Sequence, residues 1–229
     1  MSDIATAARL MDACEQVLCE AEHLDDATVR KVVSRAGTNV SAINYHFGAH
    51  EKLIFAVAER VYHRLNAQRL TLLQTAIDRG RPGPPALEDL VGALIGPSIR
   101  WSLDPTSSYP VLAHVTTMMQ RGKDPELYRT MIEGIEHHRA FVPHLRRAAP
   151  WLDDSEIGWR ISCALGIRSQ VIRHRTRTQV LTNHQMDLDD ADGVIDSMIA
   201  VIVPMFCRPA VFRPAAKGIS NSVSNLSRS

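Results

Sequence analysis

Apolar residues recur along the first fifty positions at helical spacing. Leu10, Met11, Cys14, Val17 and Leu18 form one stripe, and Val29, Val32, Val33 and Ala36 form another at i, i+3, i+4, i+7. Asp26 and Thr28 stand before the second stripe as N-cap candidates. Gly37 closes it, because a helix C-terminus that turns left-handed favours glycine. Thr38-Asn39 then offers a cap for a further helix only two residues later. In that helix Val40 and Ser41 open the first turn, Ile43 and Phe47 fall one turn apart on the buried side, and Ala42, Asn44, Tyr45 and His46 are left facing outward. Two helices joined by a tight turn and packed on a third predict a helix-turn-helix. The outward set is small or hydrogen-bonding, as a helix lying in the DNA major groove requires.

Beyond Phe47 a long helix is predicted over 50–77, with Leu53, Ile54, Val57, Val61, Leu65, Leu72 and Leu73 on its buried side and a breaker cluster at 80–85. Further helices are expected over 85–102, 109–121, 124–148, 153–177 and 187–207. Pro105, Pro110 and Pro125 punctuate the connections, and Asp153-Asp154-Ser155-Glu156 reads as a helix N-terminus. No stretch alternates as a strand does. The expectation is an all-α chain with a three-helix DNA-binding unit at 1–48, a larger helical unit for effector binding and dimerisation at 49–208, and a disordered tail at 209–229. The connecting helix belongs to both units, so its rotation repositions the reading helix.

The segments TVRKVVSRAG and NVSAINYHFGAHEKLIFAV closely resemble the N-terminal domain of the TetR family of bacterial transcriptional regulators. The likeness spans about the first quarter of the chain. Thr38 departs from the valine usual in that family, Asn44 from an aromatic, and His50-Glu51-Lys52 from a Lys-Glu pair. A later stretch, PELYRTMIEGIEHHRAFVPHLRRAAPWLDDSEIGWRISCALG, is similar to effector domains of TetR-type regulators linked to fatty-acid and hydrocarbon metabolism. The resemblance implies a homodimeric regulator, most often a repressor, that binds double-stranded DNA and is released by a small apolar effector, acyl or aromatic.

A content of 45% hydrophobic and 22% charged residues is that of an ordinary globule. There is no apolar run of the length a membrane span needs and no secretory pattern at the N-terminus, so a cytoplasmic protein without membrane contact is expected. Cys14, Cys19, Cys163 and Cys207 have no metal-ligand spacing and read as buried free thiols. The formal net charge is only +1, but residues 28–69 hold Arg30, Lys31, Arg35, Lys52, Arg60, Arg64 and Arg69 against Glu51 and Glu59, a local excess of five. Phosphates feel local charge, since screening confines exposed charges to about 10 Å.

Base contacts are expected from Val40, Ser41, Ala42 and Asn44, where Asn44 suits an adenine edge, and phosphate contacts from Thr28, Tyr45, His46 and Lys52. Surplus apolar residues on the last two strong helices suggest a four-helix dimer interface built from Ile161, Leu165, Ile172, Met198, Val201, Ile202 and Met205. Two reading helices about 34 Å apart then address a palindromic operator. Trp101, His114, Met118, Met119 and Trp159 combine apolar bulk with polar tips and are the candidate effector pocket. His137-His138 with His144, and His174 with His184, read as solvated rather than metal-binding, because neighbours on a helix point about 100° apart. The Arg168, Arg173, Arg175 and Arg177 run reads as a charged helix end. No phosphate-cradling, zinc-protease or nucleophile-elbow motif is present, so neither catalysis nor a cofactor is expected. The alternatives are an enzyme of unrecognised type and a helical protein-interaction scaffold without an operator.

Overall fold

The computed structural model describes residues 3–121 and 136–208, and every regular element among them is helical. In chain order these are α1 (Asp3–Glu20), a 3-10 turn (Leu24–Asp26), α2 (Val29–Ala36), α3 (Val40–Phe47), α4 (His50–Gly80), α5 (Leu87–Leu103), α6 (Tyr109–Arg121), α7 (Glu136–Arg139), α8 (Val142–Ala148), α9 (Asp154–Arg173), α10 (Arg175–Leu181) and α11 (Ala191–Phe206). The fold class is the all-α one the periodicity predicts. The expected tail at 209–229 lies outside the described residues.

Two apolar cores share α4. The first joins Leu10, Cys14 and Leu18 of α1 to Val32 and Ala36 of α2, Ile43 of α3, and Leu53, Val57 and Val61 of α4. The second joins Leu73 and Ala76 of α4 to α5, to Phe141 and Leu145, to Ile157, Ile161 and Ala164 of α9, and to Val194, Met198, Ile202 and Phe206 of α11. α6, expected in the larger unit, inserts Val111 and Val115 into the first core. Two elements therefore tie the small unit to the large one, where the sequence pattern indicated one.

α5 and α11 pack closely because Gly92 and Gly96 present no side chain. A Cβ on Gly92 meets Ile199 Cδ1 at 3.3 Å, and one on Gly96 meets Ile195 Cδ1 at 3.6 Å. α9 begins as Asp153-Asp154-Ser155-Glu156 predicts. Asp153 Oδ1 accepts from the Glu156 N–H at 2.8 Å, and Glu156 Oε2 accepts from the Asp153 N–H at 3.1 Å, which is a capping box.

Four expectations fail in detail, the last being burial of all four thiols. The helix expected over 153–177 stops at Arg173, where His174 leaves helical geometry with φ −121° and ψ 46°, and α10 starts anew. Neither glycine nor proline marks that break. The described part of the helix expected over 124–148 is two short pieces, α7 and α8, and Pro143 sits in the first turn of α8, where its missing N–H costs nothing. Leu72, placed on the buried side of α4, is exposed. Of the four thiols, all free, Cys14 is buried and pushed up to about 12 by loss of solvent, Cys19 and Cys163 are half-buried, and Cys207 is exposed. Among the described residues no helix is long and apolar enough to cross a membrane.

Candidate functional site

The turn between α2 and α3 is set by three local devices. The Thr28 hydroxyl accepts from the Lys31 N–H at 3.4 Å and starts α2. Gly37 stops it at φ 61° and ψ 44°, a left-handed conformation that costs glycine nothing. Asn39 Oδ1 accepts from the Ala42 N–H at 3.1 Å and starts α3. Asp26, the other cap candidate, accepts instead from the His23 N–H at 3.0 Å in the preceding turn.

Ile43 anchors α3 to the first core, and that anchor decides what the opposite face offers. Val40, Ser41, Asn44 and Tyr45 are exposed together, Tyr45 most of all. Ala42 is half-buried and packs on the core with Phe47, so it lies at the edge of that face. His46 does not face outward as expected. Its side chain is 11% exposed and stands 3.6 Å from the Asp3 carboxylate at the start of α1. Thr28 and Lys52 are exposed at the flanks.

The local cationic excess is distributed differently from the count. Arg35 pairs with Glu20 at 2.7 Å, Arg60 with Asp12 and Glu15 at 2.7 Å each, and Arg64 with Glu15. Arg69 is buried in the larger unit. Arg30, Lys31 and Lys52 remain as exposed cations beside α3.

Arg60 and Arg64 serve the joint between the units. Glu15 of α1 accepts from both, and from the Ser108 hydroxyl at 2.6 Å, just before α6. Burial pushes the Glu15 carboxyl up, but the bonds from Ser108, Arg64 and Arg60 outweigh it and hold the group below its ordinary range. His114 of α6 adds a bond between Nε2 and the Ala21 carbonyl at 3.1 Å.

A second cluster lies inside the larger unit, where α4, α5, α7 and α9 meet. Arg69 is 1% exposed; its Nε donates to the Leu94 carbonyl at 3.1 Å, and its terminal nitrogens donate to Asn66 Oδ1 and Ser98 Oγ. Arg168 of α9 also donates to Ser98 Oγ, at 3.2 Å, and to Ser169 Oγ at 3.5 Å, while its Nε is sealed from solvent without a partner. His138, 7% exposed, has no partner for either ring nitrogen, and Asn66 Nδ2 is likewise buried and unpaired. His137 Nε2 meets the Tyr62 hydroxyl at 2.9 Å. Burial, then the charges of Arg69, His137 and Arg168, drives His138 down to about 2, so its ring is neutral. Burial and Arg168 bring Arg69 down to about 10, and burial lowers Arg168.

Sequence pattern alone does not reveal this cluster. It indicates a wet face at His137-His138 and a charged helix end at Arg168, whereas His138 is buried and Arg168 points inward. The available signal was the spacing of Tyr62, Asn66 and Arg69 at i, i+4, i+7, a polar stripe on a helix already given an apolar one. Among the described residues no group of His, Cys, Asp and Glu forms a metal site.

The five expected pocket residues do not converge. Trp159 is 70% exposed on the outer side of α9. Trp101 donates through Nε1 to Gln68 Oε1 at 2.8 Å, and it borders a surface groove with His114. Met118 and Met119 are half-buried against the first core. The expected interface residues divide as well. Ile161, Met198 and Ile202 are buried in the protomer's own core and are not available to a partner. Leu165, Ile172 and Met205 are half-buried, and Val201 is 61% exposed.

A capped helix-turn-helix standing on a larger helical unit, with exposed cations on the helices around α3, is the architecture of a DNA-binding regulator with a separate sensing part. Residues 92–204 match the family described as tetracyclin repressor-like, C-terminal domain, in agreement with the TetR-like pattern of the N-terminal segments. Among solved structures the chain is similar to a protein described as a transcriptional regulator from Pseudomonas aeruginosa PAO1, at 19% identity over 89% of this chain and 93% of that one, with a TM-score of 0.58. It is also similar to the transcriptional regulator FadR from Bacillus subtilis in complex with stearoyl-CoA, at 16% identity over 86% of this chain and 97% of that one, with a TM-score of 0.54. No curated protein matches the chain.

Proposed function

We propose that the protein is a homodimeric repressor that reads a palindromic operator with α3 and leaves it when a small molecule binds the larger unit. The observation that carries this reading is the outer face of α3, where Val40, Ser41, Asn44 and Tyr45 are exposed on a helix capped by Asn39 at its start and closed by Gly48 at its end, with exposed Thr28, Lys31 and Lys52 on the neighbouring helices. In this reading Asn44 contacts a base edge, the small residues allow close approach, and Thr28, Tyr45 and Lys52 hold phosphates. Ala42 borders the groove, and His46 supports α3 from α1.

Dimerisation through the outer sides of α9 and α11 is supported by what they leave uncovered. Gly158, Trp159, Ser162 and Gly166 lie on one stripe, and Ser197, Ala200, Val201 and Pro204 on the other. Asp196 is the exposed charge at the start of the second stripe, and beyond it both stripes are uncharged, where helices with small residues approach closely. An acyl effector is supported by the FadR structure, which holds stearoyl-CoA. The protein then acts in the compartment that holds the chromosome, and as a regulator rather than an enzyme.

The test is fluorescence anisotropy on duplexes tiling the DNA around the gene, against random duplex, over a salt series. Saturable binding to one tile with a steep fall as salt rises is expected, because several phosphates are neutralised. Weak binding, blind to sequence and flat in salt, sinks the proposal.

A further inference from the structure

Two guanidinium groups, Arg69 and Arg168, converge on one acceptor, Ser98 Oγ, inside the larger unit. Among the described residues neither forms an ion pair with a carboxylate. Like charges that share one hydroxyl repel each other, and each has lost solvent, so among the described residues no carboxylate compensates the positive charge of the cluster.

The unpaired groups around it are chiefly donors. Arg168 Nε and Asn66 Nδ2 are buried donors without acceptors, and His138 is nine-tenths buried with both ring nitrogens unpartnered. The Tyr62 hydroxyl is within reach of His137, and Tyr109 lies close enough to Arg168 and Arg69 for their charges to act on its phenol. What such a site lacks is an acceptor carrying negative charge.

We propose that this cluster is the binding site for the anionic head of the effector, a carboxylate or phosphate held between Arg69 and Arg168 with Asn66, His138 and Tyr62 around it. A planar fork such as Arg168 presents suits either group. The site has a mechanical connection to the reading head. Tyr62, Asn66 and Arg69 share one face of α4, whose first turns pack on the helix-turn-helix, and Tyr109 opens α6, whose Val111 and Val115 enter the same small core. An anion that draws Arg69 and Arg168 together acts on α4 directly, and on α6 through the neighbouring Tyr109. The link to DNA rests on the repressor reading; the anion site itself does not.

The experiment is thermal unfolding of the full chain with sodium octanoate, sodium benzoate and inorganic phosphate, against octanol and benzyl alcohol, at constant ionic strength. Response to the two carboxylates alone identifies a carboxylate head, and response to phosphate identifies a phosphate head; either supports the site. A rise of about 5 °C is expected at one hundred times the dissociation constant. Arg168→Met is expected to weaken anion binding at least tenfold and, because it removes an uncompensated charge, to melt no lower than the parent without ligand. A structural role for Arg168 predicts the opposite sign. If the Met variant does not fold, Arg168→Gln takes its place with the same expected loss. Stabilisation by none of the three anions overturns the proposal, as does an anion response unchanged in a folded Arg168 variant. Duplex anisotropy on the same samples separates the readings. An Arg168-dependent anion response without specific DNA binding leaves the anion site standing and removes the repressor. Specific DNA binding without an anion response does the reverse.

Discussion

His138 shows how a single buried group records the character of its surroundings. Its ring is neutral in the folded protein because burial and the charges of Arg69, His137 and Arg168 all oppose protonation, down to about 2. In the unfolded chain an imidazole takes a proton below about pH 6.5. A group whose folded pKa is depressed loses its stabilising contribution as pH falls through the unfolded value, so the unfolded state gains as acid is added from about 6.5 downward. The melting temperature is therefore expected to drop between pH 7 and pH 5. His50 and His144, also lowered chiefly by burial, add to the fall. His138→Phe isolates the contribution of one residue. Scanning calorimetry should show a shallower decline for the variant than for the parent, and parallel curves would remove His138 from the account. No pattern along the sequence exposes this behaviour. The groups that set it come from positions as far apart as Arg69 and Arg168, and adjacency of His137 to His138 says nothing about which of them faces inward.

At the scale of the element, the turn from α2 to α3 was legible because everything that makes it is local. Thr28, Gly37 and Asn39 each act within three or four residues, and the stripe that buries Ile43 is read from spacing alone. The same logic could not see His46 turn towards Asp3, since that contact depends on how α1 begins. Gly37 offers a direct check. A Cβ there meets nothing within 4 Å, so Gly37→Ala is penalised by its backbone and not by crowding. The left-handed conformation costs an L-residue about 1 kcal/mol. Chemical denaturation should show a loss of about that size, and no loss would mean the turn tolerates another geometry. The reading face supplies a second check. Asn44→Ala should relax the preference among operator variants by about 1–3 kcal/mol at one base pair, if its amide reads an adenine edge. Lys52→Ala should weaken every duplex alike and reduce the salt slope by about one. Should both variants bind specific and random duplexes as the parent does, the reading face lies elsewhere.

At the scale of the whole molecule, the proposed reading helix of eight residues, Val40–Phe47, spans too little DNA to choose a site alone, so the proposed function needs a symmetric partner to supply the second half. Periodicity along α9 and α11 suggests more apolar surface than one inner face uses, but it cannot tell which residues face outward. Ile161, Met198 and Ile202 turned out to be core, while Trp159 and Val201 carry the exposed apolar surface. That division makes the interface testable without harming the protomer. Val201 and Trp159 are 61% and 70% exposed, so replacing either with Arg buries no charge in the isolated chain and should change its stability within about 0.5 kcal/mol. In a two-fold interface each substitution occurs twice and faces its own copy or a near neighbour, so two unpaired charges are desolvated by one mutation. Sedimentation of Val201→Arg and Trp159→Arg should therefore give monomers at concentrations where the parent is a dimer. Operator binding should fall to the level of random duplex, because a single α3 cannot distinguish the two. Dimers that persist in both variants would place the two-fold axis on another surface and leave the outer sides of α9 and α11 without a partner.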